Sequence, residues 1–298
     1  MEKKILVTGG AGFIAGHVIE VLQAKGYKVI TTIRNQVPDL DYLKKSEIST
    51  ADNRDASAIR MLVEKVDGVI NLAGILGTTI KSLTDMDVFY DNNVTGSHNV
   101  MKACHTLQIP LIQIAVGNHF ENNWYSNTKT AIEKDVLAAS KYLGLKANLV
   151  RGLNVFGERQ KVHGTGKIIP TFITKALKNE PLQVYGGIDK CSVMDMIYVQ
   201  DIAKILVDTL EFTIDNSVSV DTYYYGHVFE AGTGIGYSVY EIAERIIKLA
   251  NSKSIIDQVP MRLGESENSK VVASNPYEFD YTDLDQALIK TINYYKNI

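Results

Sequence analysis

The sequence lacks what would mark a stapled, metal-bound or membrane-spanning protein. It has two cysteines, Cys104 and Cys191, in 298 residues. That is too few for a disulfide framework, and a reducing compartment is the simpler expectation. Six histidines are scattered, with no HExxH and no His/Cys cluster. His98 and His105 are seven apart and can share a helix face, but lone polar residues there are usually structural, so no metal site is expected. No uninterrupted apolar stretch reaches the ~18 residues of a membrane span. The basic start MEKKILVTGG breaks into glycines after a short apolar run and does not read as a signal peptide. Charge of one sign is missing too. Lys plus Arg is 31 and Asp plus Glu is 34, a net charge of −3, which provides no overall field for a nucleic-acid backbone. There is no internal repeat and no Pro- or Ser-rich linker. The expectation is a soluble, cytoplasmic protein with no nucleic-acid or membrane partner, its halves interlocked rather than tethered.

What is present is an ordinary globular composition, 45% hydrophobic and 22% charged, long enough for one large or two smaller domains. Short apolar runs at 4–8, 28–33, 48–51, 68–73, 110–116 and 147–151 read as strands. Between them lie helical patterns: one carrying Ile14, Val18, Val21 and Leu22 on one face, then 59–66, 92–107 and 125–143. This alternation implies an α/β fold with a parallel sheet and helices on both faces. The second half is less regular, with helices at 168–178, 239–250 and 284–295 and strands at 182–185, 194–199 and 227–231.

The segment Thr8-Gly9-Gly10-Ala11-Gly12-Phe13-Ile14-Ala15-Gly16 joins the first strand to the first helix. Glycine there permits a tight turn and close approach of backbone to a pyrophosphate, and the helix N-terminus supplies N–H groups and a favourable dipole. The strand–turn–helix context raises this above a chance glycine motif. Gly9, Gly12, Phe13 and Ile14 are therefore candidate cofactor contacts. The second strand ends Thr31-Thr32-Ile33-Arg34, without the acidic residue that bonds a ribose 2′-OH in NAD-specific folds. Arg34 either pairs with a 2′-phosphate, which leans the cofactor toward NADP, or is a solvated surface arginine. Asp52, with Asn53 beside it, is placed to meet the adenine, and Leu72, Ala73 and Gly74 to run along the cofactor. Tyr125 and Lys129, four apart at a helix start, share a face. An ammonium beside the phenol is expected to lower its pKa and make a base for a hydroxyl proton.

These motifs, together with VDGVINLAG, YSNTK, LVRGLNVFGERQ, IIPTFITKALKNEPLQVYGG, MDMIYVQDIA and FEAGTGIGYSVYEIAERI in that order, make the chain resemble the extended short-chain dehydrogenase/reductase superfamily, in particular its nucleotide-sugar epimerases and dehydratases. The resemblance covers nearly the whole chain. It implies a Rossmann-type doubly wound sheet over 1–158, with later strands near 194–232 returning to it, and a smaller C-terminal substrate-binding domain over 159–298. It makes Tyr125 the acid/base and Lys129 the residue that binds the nicotinamide ribose and tunes Tyr125. Asn154 would contact the substrate sugar or its phosphates, Leu182, Val184 and Tyr185 would line a nucleotide-base pocket, and Arg262 would pair with the diphosphate. The plainer alternatives are core for Leu182 and Val184 and a solvated loop for Arg262. A homodimer through the helices at 92–107 and 125–143 is the family expectation.

Four departures from the family pattern stand out. Ala15 replaces the third glycine, which moves to Gly16. Val116 stands where a Ser or Thr bonds the reacting hydroxyl, the stretch from Val116 to Tyr125 is short, and Met194 replaces an arginine before Asp195. Gly117 and Asn118 stand where 4,6-dehydratases carry an Asp-Glu pair, which argues against dehydration. Asn118 is the favoured substitute for the missing hydroxyl, with a plain turn role as its alternative; Thr78 and Thr79 are the other polar groups expected near the nicotinamide. The expectation is an NAD(P)-dependent nucleotide-sugar epimerase working through a transient ketone, at C4. A single-step NADPH-dependent reductase of a 4-keto sugar nucleotide is the runner-up, and a non-catalytic NADP/sugar-nucleotide sensor is the reading from another class.

Overall fold

A computed structural model describes residues 2–77, 82–162, 167–216, 224–261 and 267–298. Its contacts divide the chain into two compact units, residues 1–151 with 203–229, and residues 152–202 with 230–298.

The first unit is built on β1 (Lys4–Thr8), α1 (Phe13–Ala24), β2 (Lys28–Thr32), α2 (Asp41–Lys44), β3 (Glu47–Ser49), α3 (Ala56–Val63), β4 (Gly68–Asn71), α4 (Leu83–Phe89), α5 (Gly96–Leu107), β5 (Leu111–Val116), α6 (Trp124–Leu143) and β6 (Ala147–Gly152). Among the described residues the large sheet has seven strands in the order β10-β6-β5-β4-β1-β2-β3, where β10 is Val228–Ala231. The ladders from β5 to β3 are parallel. The fold is therefore a Rossmann-type, doubly wound α/β sheet. Strand order reverses between β1 and β4, and ligands of such sheets bind outside the carboxyl ends at that point. Both faces are covered. Leu6, Ile30, Val69, Leu111 and Leu149 pack under α3, α5 and α6 through Ile59, Leu62, Val100, Ile132 and Val136. Cys104 is fully buried in the same cluster, and burial pushes its thiol pKa upward. On the other face a Cβ at Gly68 would lie 3.1 Å from Leu210 and Ile214. Glycine there lets α9 (Val199–Asp215) settle on the sheet, where Asp208 and Glu211 hold Lys25.

The structure corrects the sequence reading in three places. The helix expected at 92–107 begins at Leu83 under a Ser82/Asp85 capping box and runs through a π-helical turn (Tyr90–Thr95) into α5. The 17-residue α9 was not anticipated. It follows the strand Val193–Tyr198 with no glycine or proline between them, and Ile202, Ala203, Ile205, Leu206 and Val207 bury it on several sides. That strand, β9, does not return to the large sheet. It centres a separate one with β11 (Gly236–Ser238), β13 (Lys270–Val271) and β7 (Asn154–Phe156). His98 and His105 do share a face of α5, where they bond Asp135 and the Leu143 carbonyl of α6, both at 2.9 Å.

The second unit also holds a parallel pair, β8 (Leu182–Tyr185) with β12 (Ile256–Val259), the one-turn helix α8 (Gly187–Lys190), and the mutually packed helices α7 (Ile168–Leu177), α10 (Val239–Leu249) and α11 (Leu284–Lys296). One carboxylate ties its loops together. Asp195, with no exposed surface, accepts from the Thr233 and Gly234 N–H groups, the Thr233 hydroxyl and the Ala273 N–H, at 2.8–3.2 Å. An amide there would turn an NH₂ toward some of these donors. Asp195→Asn should lower the unfolding free energy by ~3 kcal/mol, read by urea denaturation.

Candidate active site

Thr8 ends β1 and Asn71 ends β4, and together they set the switch point. The Thr8 hydroxyl donates to Asn71 Oδ1 at 2.6 Å and accepts the Leu72 and Ala73 N–H groups at 3.1 and 3.0 Å. That uses its one proton and both lone pairs. Asn71 Nδ2 donates to Gln113 Oε1 (2.7 Å) and Ser97 Oγ (3.2 Å), and its Oδ1 also accepts from Asn53 Nδ2. Asn53, expected among the cofactor contacts, turns its amide into this buried network.

The glycine loop lies directly against that point. Gly9 has φ +73°, and a Cβ on it would lie 3.1 Å from the Ala73 Cα. The two strand ends therefore touch backbone to backbone. Gly12 caps α1 with no side-chain bond, and no acid occupies the first turn. The positive end of the helix, starting at Phe13 and Ile14, is left facing whatever anion approaches. These features fit a dinucleotide pyrophosphate.

Three elements converge beyond Ala73. A Cβ at Gly74 would lie 2.9 Å from Asn93 Oδ1 and 3.5 Å from Lys129 Nζ. Asn93, buried in the π-helical turn, accepts the Ile75 N–H (2.8 Å) and donates to the Ile75 carbonyl and to Thr128 Oγ1. It clamps the end of β4 to the helix that carries Tyr125 and Lys129. The sequence reading missed Asn93; its only local signal would have been a polar residue inside a helical pattern. Farther along α6, Glu133 takes the Arg151 guanidinium through two bonds, one 2.9 Å long from Nε, which fixes the helix against β6.

Tyr125 and Lys129 lie one turn apart on α6, whose first turn is capped by Asn123. Burial raises the Tyr125 phenol to about 12 and lowers the Lys129 ammonium to about 8. The expected lowering of the phenol is thus corrected: desolvation favours the neutral form of each group. On either side of Tyr125, the buried Trp124 Nε1 and Ser126 Oγ have no hydrogen-bond partner among the described residues. This orphaned pair had no sequence signal. Val116 is buried at the end of β5. Asn118 follows in a turn closed by its main-chain carbonyl, which accepts from Glu121 N–H at 3.2 Å.

On the far side of the loop, Arg34 donates to Asn92 Oδ1 at 2.7 Å and stands 3.9 Å from Asp52. Arg54 grips the same carboxylate and holds its pKa below the usual value. In the second unit, Asn154 Nδ2 donates to the Asp195 carbonyl at 3.1 Å. Leu182 and Val184 have no exposed surface, and of their two readings burial matches the core one; Tyr185 keeps part of its surface. Thr78, Thr79 and Arg262 lie outside the described residues. Among the described residues no helix is long and apolar enough to cross a membrane.

The model of the NAD-dependent epimerase/dehydratase family matches residues 5–220. A UDP-glucose 4-epimerase of Rhizobium meliloti (strain 1021) is 26% identical over 307 residues, covering 92% of this chain and 89% of its own. A trifunctional UDP-glucose 4,6-dehydratase/UDP-4-keto-6-deoxy-D-glucose 3,5-epimerase/UDP-4-keto-L-rhamnose-reductase of Arabidopsis thaliana is 28% identical over 283 residues, 83% of this chain. The chain spans only 39% of that plant protein's length. In fold, the chain is similar to the UDP-glucose 4-epimerase of Thermus thermophilus in complex with NAD, with a TM-score of 0.81 at 23% identity, over 98% of this chain and 99% of that one.

The depressed Lys129 pKa carries a stability consequence. Below about pH 8 the ammonium is buried at a cost, and the cost is relieved as pH rises through 8 toward the unfolded value of 10.5. Between about pH 7.5 and about pH 9.5 the protein should gain ~2 kcal/mol of unfolding free energy relative to Lys129→Met. Denaturant titrations of both proteins at the two pH values measure it.

Proposed function

Because the chain belongs to the NAD-dependent epimerase/dehydratase family, we propose that it is an NAD(P)-dependent nucleotide-sugar epimerase acting at C4 through a keto sugar. The observation that carries this reading is the convergence of Gly74, Asn93 and Lys129 on the start of α6, on the helix face that Tyr125 shares. A nicotinamide dinucleotide, when bound, supplies a reversible hydride acceptor. The chain's residues do the rest. Gly9, Gly12, Phe13 and Ile14 hold the pyrophosphate, Asp52 meets the adenine, and Ala73 and Gly74 bring backbone close to the nicotinamide side. Tyr125 takes the proton from the sugar hydroxyl as the C–H hydrogen leaves with its electron pair, and returns it when the ketone is reduced from its other face. Lys129 holds the nicotinamide ribose, and Tyr125 must lose its own proton before it can accept the sugar's. Asn118 orients the reacting hydroxyl in place of the Ser or Thr that Val116 lacks. Asn154, Tyr185 and Arg262 take the nucleotide sugar. The working form is a cytoplasmic homodimer.

The test is a set of UDP-, GDP- and dTDP-sugars incubated with the protein and followed by NMR. Inversion at one carbon without added reductant is expected. Stoichiometric consumption of NADPH would assign the single reduction instead, and dinucleotide binding without turnover would assign a sensor. Tyr125→Phe should lower turnover at least ~100-fold while leaving dinucleotide binding intact.

Arg34 supports NADP over NAD. Its guanidinium, oriented by Asn92 and 3.9 Å from Asp52, follows a β2 whose own end carries no acid to claim a ribose 2′-OH. NADP should bind at least ~10-fold more tightly than NAD, and Arg34→Ala should erase the difference, measured by calorimetry with both dinucleotides.

A further inference from the structure

Tyr42 lies in α2, on the segment that follows β2 and outside every motif described above, yet only 6% of it is exposed. Its hydroxyl donates to the carbonyl of Gly10 at 3.1 Å. Its ring rests on Gly16, where a Cβ would lie 2.9 Å from ring carbons Cε1 and Cζ. Its own carbonyl accepts from Gln23 Nε2 of α1 at 2.9 Å and from Ser46 Oγ at 3.0 Å, so the residue is held from both sides of the chain. The other end of Gly10 is held as firmly, its N–H donating to the Thr32 carbonyl at 2.9 Å.

From these contacts we infer that Tyr42 is a positioning residue for dinucleotide binding, which sets the orientation of the Gly10–Ala11 peptide in the glycine loop. In a trans peptide the C=O and the following N–H point in opposite directions. A hydroxyl that draws the Gly10 oxygen to itself turns the Ala11 N–H the other way. It also keeps a carbonyl lone pair from rotating into the anion site, where it would repel the phosphates. The arrangement also accounts for the glycine displaced from position 15 to Gly16: the small residue is needed where the Tyr42 ring packs, while Ala15 is buried without difficulty. The inference rests on the dinucleotide-binding reading of the loop and names the residue that aims it.

The experiment titrates the full chain and its Tyr42→Phe variant with NADPH, NADH, ADP-ribose and adenosine, following the fluorescence of Trp124, the single tryptophan. Tyr42→Phe keeps the ring and removes one hydrogen bond. It should weaken the three pyrophosphate-bearing ligands about threefold to tenfold and leave adenosine, which has no phosphate, unchanged. Gly16→Ala attacks the same contact from the other side by pushing on the ring, and should give the same selective loss, so the proposal does not hang on one variant's folding. Equal dissociation constants for the parent and both variants overturn it. So does an equal loss for adenosine, or a lowered unfolding temperature with unchanged affinities, since each marks a merely structural tyrosine. A parent that binds no dinucleotide at all overturns the functional reading and this inference with it; a parent that binds while the variants match it overturns this inference alone.

Discussion

The first unit depends on two saturated side chains at the switch point of its sheet. Thr8 uses its whole hydroxyl on the end of β4, and Asn71 uses both ends of its amide on Thr8, Asn53, Ser97 and Gln113. A buried polar network is worth having only when every member is paired, and this one is. Its product is geometric: the Gly9 and Ala73 backbones are brought into contact. The open end of α1 and Gly74 take their places from that contact.

The second level of organisation is a chain of clamps running outward from it. Asn93 ties the end of β4 to α6 by bonding both the N–H and the carbonyl of Ile75. Glu133 ties α6 to Arg151 at the end of β6. Each clamp is a polar side chain bonded at more than one atom, so it fixes orientation as well as distance. This is what the proton transfer proposed for Tyr125 would require, because a small misplacement costs rate steeply. The second unit relies on a comparable device, with Asp195 gathering two loops onto β9.

Much of this was legible in the sequence, for reasons of distance along the chain. The glycine loop and the Tyr125/Lys129 pair are local patterns, each meaningful within about one turn or one strand–helix junction. What was not legible depends on remote neighbours. The sign of the Tyr125 shift follows from burial, which no i,i+4 spacing reveals. α9 was hidden because strand and helix adjoin without punctuation, so the apolar residues of β9 run straight on into those of the helix. Asn93 and Tyr42 act across gaps of 18 and 32 positions, and the bond from the Asn53 amide to Asn71 spans 18. The displaced glycine was visible as a departure, but its reason, an aromatic ring from a segment without any motif, was not.

The loop glycines also differ in how freely the sequence around them can drift. The atom that excludes a side chain at Gly9 is the backbone of Ala73, and at Gly12 it is the carbonyl of Gly9. No substitution elsewhere removes a backbone, so those two positions have no compensating partner. At Gly10 and Gly16 the excluding atoms belong to the side chains of Thr31 and Tyr42, which are replaceable. In lineages descended from this protein, positions 9 and 12 should stay fixed on their own. Positions 10 with 31, and 16 with 42, should change as pairs, which makes half of the motif a constraint of geometry and half a negotiated agreement between residues.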